Sequence, residues 1–332
     1  MSAQAWFNRL WYGRSPPPPW LLPLSRLYGA AAAAHRALYR RGWLAIQRVE
    51  APVIIVGNLT AGGSGKTPLV AWVARGLAAQ GLRPGIASRG YRAGAGTARL
   101  VLPGDPAAEV GDEPVLLARR TGLPVAIGRA RAQAARLLIE AGCNVIVADD
   151  GLQHHALARD CEILVVDGER RFGNGWLLPA GPLREHPRRL TTVDAVVANG
   201  GEAAPGELAM RLVANKAVSL RDGRECPLER FSGRRVHALA GIGDPERFFR
   251  MLRTAGMDVV PHPLDDHAAI GAADIRFGDD NPVLMTEKDA VKCAQEADDR
   301  HWFVPVEADF GEADAAALMQ VALRSITRFN SG

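Results

Sequence analysis

The stretch of sequence that most constrains the fold runs from Val53 to Pro68. It begins with the apolar, β-branched pattern of a buried strand, VIIV, continues through the glycine-rich turn GNLTAGGSG, and ends in Lys66, Thr67 and the proline. Glycines let backbone N–H groups close around phosphate oxygens, and a following helix adds the positive end of its dipole. The lysine can reach the β- and γ-phosphates of a nucleotide, and the threonine hydroxyl can hold Mg²⁺. This segment predicts a phosphate-binding loop.

The loop departs from the strict G-x-x-x-x-G-K-[ST] pattern at Thr60, which stands where the first glycine is expected. Its context still favours phosphate binding, because apolar residues recur at helical spacing from Leu69 to Leu77. The alternative is a glycine-rich turn that binds no ligand. We predict that the nucleotide is held by Thr60, Ala61, Gly62, Gly63, Ser64, Gly65, Lys66 and Thr67.

From residue 53 to about residue 199, short apolar runs alternate with helical patterns. The candidate strands are 53–57, 85–88, 98–102, 124–127, 144–148, 162–167 and 195–198, and the candidate helices are 68–80, 113–121 and 130–141. Such alternation is typical of an α/β fold with a doubly wound, mostly parallel sheet, as in P-loop NTPases. In that architecture, ligands bind beyond the carboxyl ends of the strands.

The length of 332 residues and the hydrophobic content of 48% favour two domains. We assign residues 1–48 to a basic amphipathic arm, 49–205 to the phosphate-loop domain, 206–234 to a β-hairpin linker and 235–332 to a smaller α/β domain. The hairpin is predicted from the alternating stretches 210–213 and 217–220, and a strand is predicted at 303–306. An active site is expected in the cleft between the domains.

The arm is rich in arginine and tryptophan and contains an amphipathic helical pattern from Leu24 to Leu38. Arg26, His35 and Arg36 interrupt this pattern, so it does not predict a transmembrane helix, which needs roughly 20 apolar residues. It also lacks the organisation of a signal peptide. Two interpretations remain: a helix lying in an anionic membrane surface, or an ordinary helix packed on the body of the protein.

Charge and cysteine content exclude other classes of protein. The net charge of +4 is too small to indicate a nucleic-acid partner, and no pattern indicates an obligate protein partner. Four widely separated cysteines predict neither a zinc site nor a disulfide framework, which fits a reducing cytoplasm.

Acidic residues follow two of the predicted strands. Asp149 and Asp150 come directly after the apolar run 144–148, an arrangement in which a carboxylate can hold Mg²⁺ beside a triphosphate. Asp112 is a candidate general base, because an enzyme that phosphorylates a hydroxyl needs a carboxylate to accept its proton. The alternatives are an ordinary turn at the aspartate pair and a helix cap at Asp112.

His267 follows two aspartates in a loop of the second domain. A cleft-facing loop could bring it to Asp112 as a dyad, and the alternative is an exposed histidine.

Several blocks of sequence carry a resemblance when they are taken together. In order, they are NLTAGGSGKTP from residue 58, SRGY from 88, GDEP from 111, DDGLQH from 149, LPAGPLRE from 178 and TEKD from 286. The ordered set resembles the tetraacyldisaccharide 4′-kinase family of lipid A biosynthesis. The resemblance implies a peripheral enzyme at the cytoplasmic face of a Gram-negative inner membrane. Such an enzyme transfers the γ-phosphate of ATP, with Mg²⁺, to the 4′-hydroxyl of tetraacyldisaccharide 1-phosphate, a lipid, to give lipid IVA.

The resemblance also implies roles for individual residues. Lys66 and Thr67 match the phosphate loop, Asp149 matches the Mg²⁺ carboxylate with Asp150 beside it, Asp112 matches the general base and His267 matches its partner. The blocks expected to line the substrate and phosphate cleft contain Asn58, Tyr91, Arg184 and Glu185.

Other phosphate-loop classes fit less well. The segment 215–218 lacks the aspartate of an N-K-x-D guanine-binding motif, and Ala61 stands where a partition ATPase would carry lysine. A soluble kinase or ligase of cofactor biosynthesis, or a membrane-associated ATPase adaptor, remains as an alternative.

Overall fold

The computed structural model describes residues 3–90, 98–102, 104–266 and 268–331. Its α-helices are α1 (Ala3–Tyr12), α2 (Leu21–Arg40), α3 (Lys66–Ala79), α4 (Ala107–Val110), α5 (Asp112–Thr121), α6 (Arg131–Glu140), α7 (Pro245–Thr254), α8 (Ala272–Ile275), α9 (Glu287–Cys293) and α10 (Glu312–Ser331). Its strands are β1 (Val53–Asn58), β2 (Pro84–Ser88), β3 (Arg99–Leu100), β4 (Val125–Ile127), β5 (Val145–Asp149), β6 (Cys161–Asp167), β7 (Ala195–Asn199), β8 (Leu208–Val213), β9 (Lys216–Ser219), β10 (Glu225–Pro227), β11 (Arg235–Ala240), β12 (Asp258–Pro263), β13 (Val283–Thr286), β14 (His301–Val304) and β15 (Glu307–Phe310).

The larger sheet has nine strands within the described residues, in the order β15-β8-β7-β6-β1-β5-β2-β4-β3. Its strands from β8 to β4 are parallel, and the two edge strands β3 and β15 are antiparallel to their neighbours. A parallel sheet of this kind needs a hydrophobic core on each face. The predicted doubly wound, mostly parallel α/β fold is confirmed.

The two faces of β1 show how the sequence builds those cores. Ile54 and Val56 pack with α3, α5 and α10 on one face, whereas Val53 and Ile55 pack with α6 on the other. Side chains alternate between faces along a strand, so a run of four apolar residues supplies both cores. Burial of each such side chain contributes roughly 1.5–3 kcal/mol, which holds the strand that leads into the phosphate loop.

The smaller sheet has six strands in the described part of the chain, in the order β10-β9-β14-β13-β11-β12. Its strands from β14 to β12 are parallel, and β9 pairs antiparallel with both β14 and β10. Phe231, Phe249 and Trp302 lie in the core on one face of this sheet.

The segment predicted as a hairpin linker, 206–234, is divided between the two sheets. β8 pairs in parallel with β7 in the larger sheet, whereas β9 pairs with β10 in the smaller one. The hairpin therefore joins β9 to β10, and the stretches 210–213 and 217–220 do not pair with each other among the described residues. The physical reason is burial: Met210 and Ala217 enter different cores, so the chain crosses from one domain to the other between them.

The last part of the predicted smaller domain, 235–332, also differs from the prediction. The strand predicted at 303–306 overlaps only the end of β14, which lies in the smaller sheet; β15 follows at Glu307 and adds an edge to the larger sheet. α10 then packs on the larger domain through Leu318, Ala322 and Ile326. The chain thus returns to the first domain at residues 305–306.

The N-terminal arm packs on the body through one side and exposes the other. Leu10 and Leu21 form a small core with Ala180, and the Ser25 hydroxyl donates to the carbonyl of Leu177 at 2.8 Å. The opposite side exposes Trp20, Leu24, Leu27 and Trp43. No described helix combines the length and the apolar character needed to cross a bilayer.

Candidate active site

A cleft of about 980 Å³ lies where the strand ends of the larger sheet face the smaller domain. Residues 62–65 of the phosphate loop and the first turn of α3 line one wall, and Asp112, Asp149 and Asp150 lie beside them. Thr60 and Ala61 do not line this cleft, and the Ala61 N–H donates to the Pro182 carbonyl at 2.8 Å. The smaller domain contributes the segment 242–244, Arg247 and the segment 286–288. The structure therefore brings together most of the residues that the sequence predicted.

The phosphate loop is held from beneath by Asn58, the last residue of β1. This side chain is fully buried; it donates to the Ser64 hydroxyl at 2.9 Å and accepts from the Lys66 ammonium at 3.1 Å. Gly65 ends the loop with φ of 89°, a conformation that glycine adopts without strain, and α3 begins at the next residue. Asn58 therefore supports the loop rather than facing the cleft.

Asp149 ends β5 and is 2% exposed. Burial, together with the neighbouring Glu113 and Asp150 carboxylates, raises the pKa of Asp149 to about 7. Its Oδ1 atom is buried without a hydrogen-bond partner among the described residues. A buried carboxylate oxygen without a hydrogen-bond partner is suited to binding a cation.

Asp150 has the opposite surroundings. The Arg184 guanidinium donates to both of its oxygens at 2.9 Å, and the Lys66 ammonium lies 3.6 Å from one of them. Burial alone would raise the pKa of Asp150, but Lys66 and Arg184 hold it below its ordinary value. Its backbone has φ of 50°, and the Arg131 guanidinium donates to the carbonyls of both aspartates at 2.7 and 3.0 Å. This turn is thus held by three cationic side chains.

Arg184 lies in the cleft, whereas Glu185 points toward the arm. The Glu185 carboxylate accepts from Arg36 of α2 at 3.2 Å and from the amide of Gln153 at 2.9 Å. The Tyr28 hydroxyl, also in α2, donates to the carbonyl of Arg184 at 3.2 Å. The predicted substrate segment is therefore attached to the arm.

Asp112 is the first residue of α5 and is 5% exposed. Gly111 occupies the cap position before it, so Asp112 is not the cap residue that the alternative interpretation required. The Lys292 ammonium lies 3.6 Å from its carboxylate and 3.0 Å from Asp289. Asp112 therefore faces the cleft beside a cation from the smaller domain.

Two predicted residues, Tyr91 and His267, lie outside the described residues.

Sequence reasoning assigned no role to Asn199, Arg247, Lys288 or Lys292. Lys288 pairs with Asp266 at 2.8 Å and with Glu113 at 3.4 Å. Burial alone would lower its pKa, but these two carboxylates hold the pKa of Lys288 above its ordinary value. The sequence did indicate a possible site role for Asn199, since it is a polar residue at the carboxyl end of a predicted strand. Lys288 belongs to the TEKD block, which was recognised only through the resemblance, and Lys292 lies just outside that block.

Fold and site together define an α/β protein whose glycine-rich loop, of the phosphate-loop kind, lines a cleft between two domains. A family model described as tetraacyldisaccharide-1-P 4′-kinase matches residues 18–324. The chain therefore belongs to the tetraacyldisaccharide 4′-kinase family.

Individual relatives agree with this assignment. The chain is 51% identical over 322 residues to a tetraacyldisaccharide 4′-kinase from Xanthomonas euvesicatoria, with 93% of each chain covered. It is 52% identical over 307 residues to the enzyme of that name from Alkalilimnicola ehrlichii, with 88% of this chain and 90% of the relative covered. A crystal structure of "apo" form LpxK from Aquifex aeolicus in complex with ATP superposes with a TM-score of 0.76 at 28% identity, covering 92% of this chain and 98% of that one. The predicted family and kinase function are confirmed.

Proposed function

We propose that this chain transfers the γ-phosphate of ATP to the 4′-hydroxyl of tetraacyldisaccharide 1-phosphate, giving lipid IVA. One observation carries the proposal: Lys66, Asp112 and Asp149 line a single cleft. A phosphoryl transfer to a hydroxyl needs a cation at the phosphates, a carboxylate for the proton and a means of holding the nucleotide. The acceptor is the one named for the relatives described above.

The phosphate loop would bind the nucleotide through its backbone N–H groups and Lys66. The lysine already lies between Asn58 and Asp150, so its ammonium has a defined position before a ligand arrives. In the transfer step, the acceptor oxygen attacks the γ-phosphorus while the bond to the bridging oxygen of ADP breaks. Lys66 would neutralise charge that spreads over the phosphoryl oxygens.

The residues present fit a magnesium ion. The buried Asp149 oxygen lacks a hydrogen-bond partner in the described structure, and Thr67 lines the same cleft. No three His, Cys, Asp or Glu side chains of the described chain are grouped to hold a metal ion, so nucleotide oxygens and water would complete the coordination. When bound, Mg²⁺ supplies positive charge to the β- and γ-phosphates. We assign Thr67 and Asp149 as its ligands, with Asp150 in contact with Arg184.

Asp112 would accept the proton of the acceptor hydroxyl. It lies in the first turn of α5, and the Lys292 ammonium lies 3.6 Å from its carboxylate. The resemblance pairs Asp112 with His267, and we keep that pairing as part of the proposal.

A lipid acceptor gives the arm a function. In the described residues, the large exposed apolar side chains are Trp6, Trp20, Leu24, Leu27, Trp43 and Ile46 of the arm, together with Leu100 and Leu102. Apolar side chains concentrated on one surface, with Arg26 and Arg41 exposed nearby, fit a helix lying in an anionic membrane interface. The other side of the arm touches the segment that carries Arg184, so the lipid headgroup could pass directly from bilayer to cleft. We place the protein at the cytoplasmic face of the inner membrane.

The activity is tested by incubating purified protein with ATP labelled at the γ-phosphate, Mg²⁺ and tetraacyldisaccharide 1-phosphate in mixed micelles. We expect label in a lipid bearing one additional phosphate at the 4′ position, and none with Asp112→Asn. Protein that binds ATP but labels only soluble acceptors would contradict the lipid acceptor and favour a soluble kinase.

Membrane binding is tested separately by flotation with vesicles that contain anionic lipid. Replacing Leu24, Leu27 and Trp43 together by serine should release the protein from the vesicles, because these exposed side chains would supply the apolar contact with lipid. Leu100→Ser/Leu102→Ser is the matched control, since it removes exposed leucines outside the arm. Equal flotation of all three proteins would refute the interfacial arm.

A further inference from the structure

Asn199 is a buried polar side chain to which the reaction described above assigns no role. It ends β7 and is fully buried. Its amide nitrogen donates to the carbonyl of Ser64 at 2.9 Å, and its amide oxygen accepts from the Arg247 guanidinium at 3.1 Å. A carbonyl only accepts and a guanidinium only donates, so these two partners define the orientation of the amide.

The bond to Ser64 acts on the backbone of the phosphate loop. In a planar trans peptide, the carbonyl of one residue and the N–H of the next point in opposite directions. By holding the Ser64 carbonyl, Asn199 therefore sets the direction of the Gly65 N–H. The contact is close: a Cβ atom at Gly65 would lie 2.2 Å from the Asn199 amide nitrogen.

The partner of Asn199, Arg247, belongs to the smaller domain. It lies in the first turn of α7, and its guanidinium also reaches the Asn199 carbonyl at 3.3 Å and the Asp167 carboxylate at 3.7 Å. A parallel link runs through Arg170, which donates to the Gly63 carbonyl at 3.1 Å and pairs with Asp244 of the smaller domain at 3.4 Å. Two successive carbonyls of the loop are thus connected to the smaller domain.

We propose that Asn199 and Arg247 are positioning residues for the phosphate loop: Asn199 orients the Ser64–Gly65 peptide, and Arg247 holds Asn199 in place from the smaller domain. This inference rests on the proposed binding of ATP at the loop. Because of these bonds, phosphate binding at the loop would depend on the position of the smaller domain relative to the larger one. Phosphate binding would in turn stabilise that position.

The test measures the Kd for ATP with Mg²⁺ by calorimetry on the full chain, without acceptor. A hydrogen bond to a charged group contributes about 1.5–3 kcal/mol, so Arg247→Ala should weaken ATP binding about tenfold or more. Arg250→Ala is the matched control, because Arg250 lies on the same helix and pairs with Glu169 on the surface. It should change the Kd less than about twofold.

A double-mutant cycle separates this role from direct attraction between Arg247 and the nucleotide. If Arg247 acts through Asn199, the variant with both Asn199→Ala and Arg247→Ala binds ATP no more weakly than the weaker single variant. If Arg247 acts directly on the phosphates, the two losses multiply, and the inference is overturned. An unchanged Kd in Arg247→Ala overturns it as well.

Steady-state kinetics add a readout that a purely structural role would not give. The variants should raise the KM for ATP while leaving the KM for the glycolipid and the thermal unfolding temperature near wild-type values. Should Asn199→Ala fail to fold, Asn199→Leu replaces it, because leucine has nearly the same shape, adds no charge and has neither the donor to Ser64 nor the acceptor for Arg247. Wild-type protein that binds no ATP would refute the proposed function, whereas wild-type affinity in the variants would refute only this inference.

Discussion

Asp149 and Asp150 are adjacent in the chain, yet their carboxyl groups are in opposite electrostatic states. Asp149 is buried near other carboxylates, and its pKa is raised to about 7. Asp150 lies between Lys66 and Arg184, which hold its pKa below the ordinary value. The chemistry of each aspartate therefore depends on side chains that are distant in sequence: Arg184 is 34 residues from Asp150, and Lys66 is farther still.

The first prediction concerns the two residues closest to the proposed chemistry. Lys66→Ala and Asp112→Asn should each lower kcat/KM for the glycolipid about a hundredfold or more, because each removes charge stabilisation or proton transfer in the transition state. Both proteins should keep their thermal unfolding temperature within a few degrees. His267→Ala should cost less than the loss of Asp112. Near-normal turnover in any of these variants would remove that residue from the mechanism.

The second prediction concerns Gly65. Gly65→Ala should abolish detectable ATP binding, since alanine is strained at φ of 89° and its Cβ would lie 2.2 Å from the Asn199 amide. Gly81→Ala is the control: it has φ of 78° but no heavy atom within 4 Å among the described residues. The control carries the backbone strain without the collision. Equal ATP affinity in both variants would show that the close approach to Asn199 is unimportant.

At the scale of elements, α2 packs on the body, as one interpretation of the arm predicted, and keeps an exposed apolar side, which the interfacial interpretation requires. One side carries Ser25, Tyr28 and Arg36 to the body, and the other exposes Leu24 and Leu27. Deletion of the arm would therefore remove both the proposed membrane contacts and the support for the Arg184 segment. Substitutions on its exposed side alone are the more informative experiment.

The third prediction uses His155, which packs against His35 and Tyr39 of α2. Burial, with Arg159 and His35 nearby, lowers the pKa of His155 from 6.5 to about 4. Between these two pH values the unfolded chain binds a proton here that the folded chain does not, so the free energy of unfolding decreases as the pH falls from 6.5 toward 4. His155→Gln should flatten this dependence in thermal unfolding between pH 7.5 and 4.5. If the unfolding temperatures of wild type and variant changed with pH in parallel, His155 would not be the source of this dependence.

At the scale of the whole molecule, the chain crosses between domains near residues 214–215 and returns at 305–306. β15 and α10, which follow the return, complete the larger domain. Arg120 of α5 lies at this crossing; it pairs with Glu287 of α9 at 2.8 Å and donates to the carbonyl of Val306. The helix that begins with Asp112 is thus bound to the smaller domain at its other end as well.

The fourth prediction tests this connection. The Arg120 side chain is 5% exposed, and its removal would leave the Glu287 carboxylate largely buried without this partner. Arg120→Ala should therefore lower the free energy of unfolding by about 3 kcal/mol. Arg75→Ala is the control, because its pair with Glu307 at 3.6 Å is exposed and should contribute less than about 1 kcal/mol. Urea unfolding measures both, and similar losses in the two variants would contradict the prediction.

Much of the fold and part of the site could be predicted from sequence because the relevant interactions are local. The strand, glycine turn and helix around Gly65 follow from side-chain periodicity and from backbone conformations open only to glycine. The end of β5 also placed Asp149 and Asp150 at the edge of the sheet where ligands bind, whereas Asp112 follows the antiparallel β3 and is positioned by α5. The sheets to which β8 and β9 belong were not predictable in this way. Both strands have the same alternating pattern, and they differ only in which domain's core buries their apolar side chains.

The sequence by itself determined a phosphate loop on a mostly parallel α/β sheet, an amphipathic arm and the family to which the chain belongs. Only the tertiary structure decided which side chains support the loop and how each carboxylate is charged. Ser64 and Asn199 are 135 residues apart, and Asp112 and Lys292 come from different domains. Hydrogen bonds and Coulomb interactions depend on distances of a few ångströms, which exist between such residues only after the two domains have folded around one cleft.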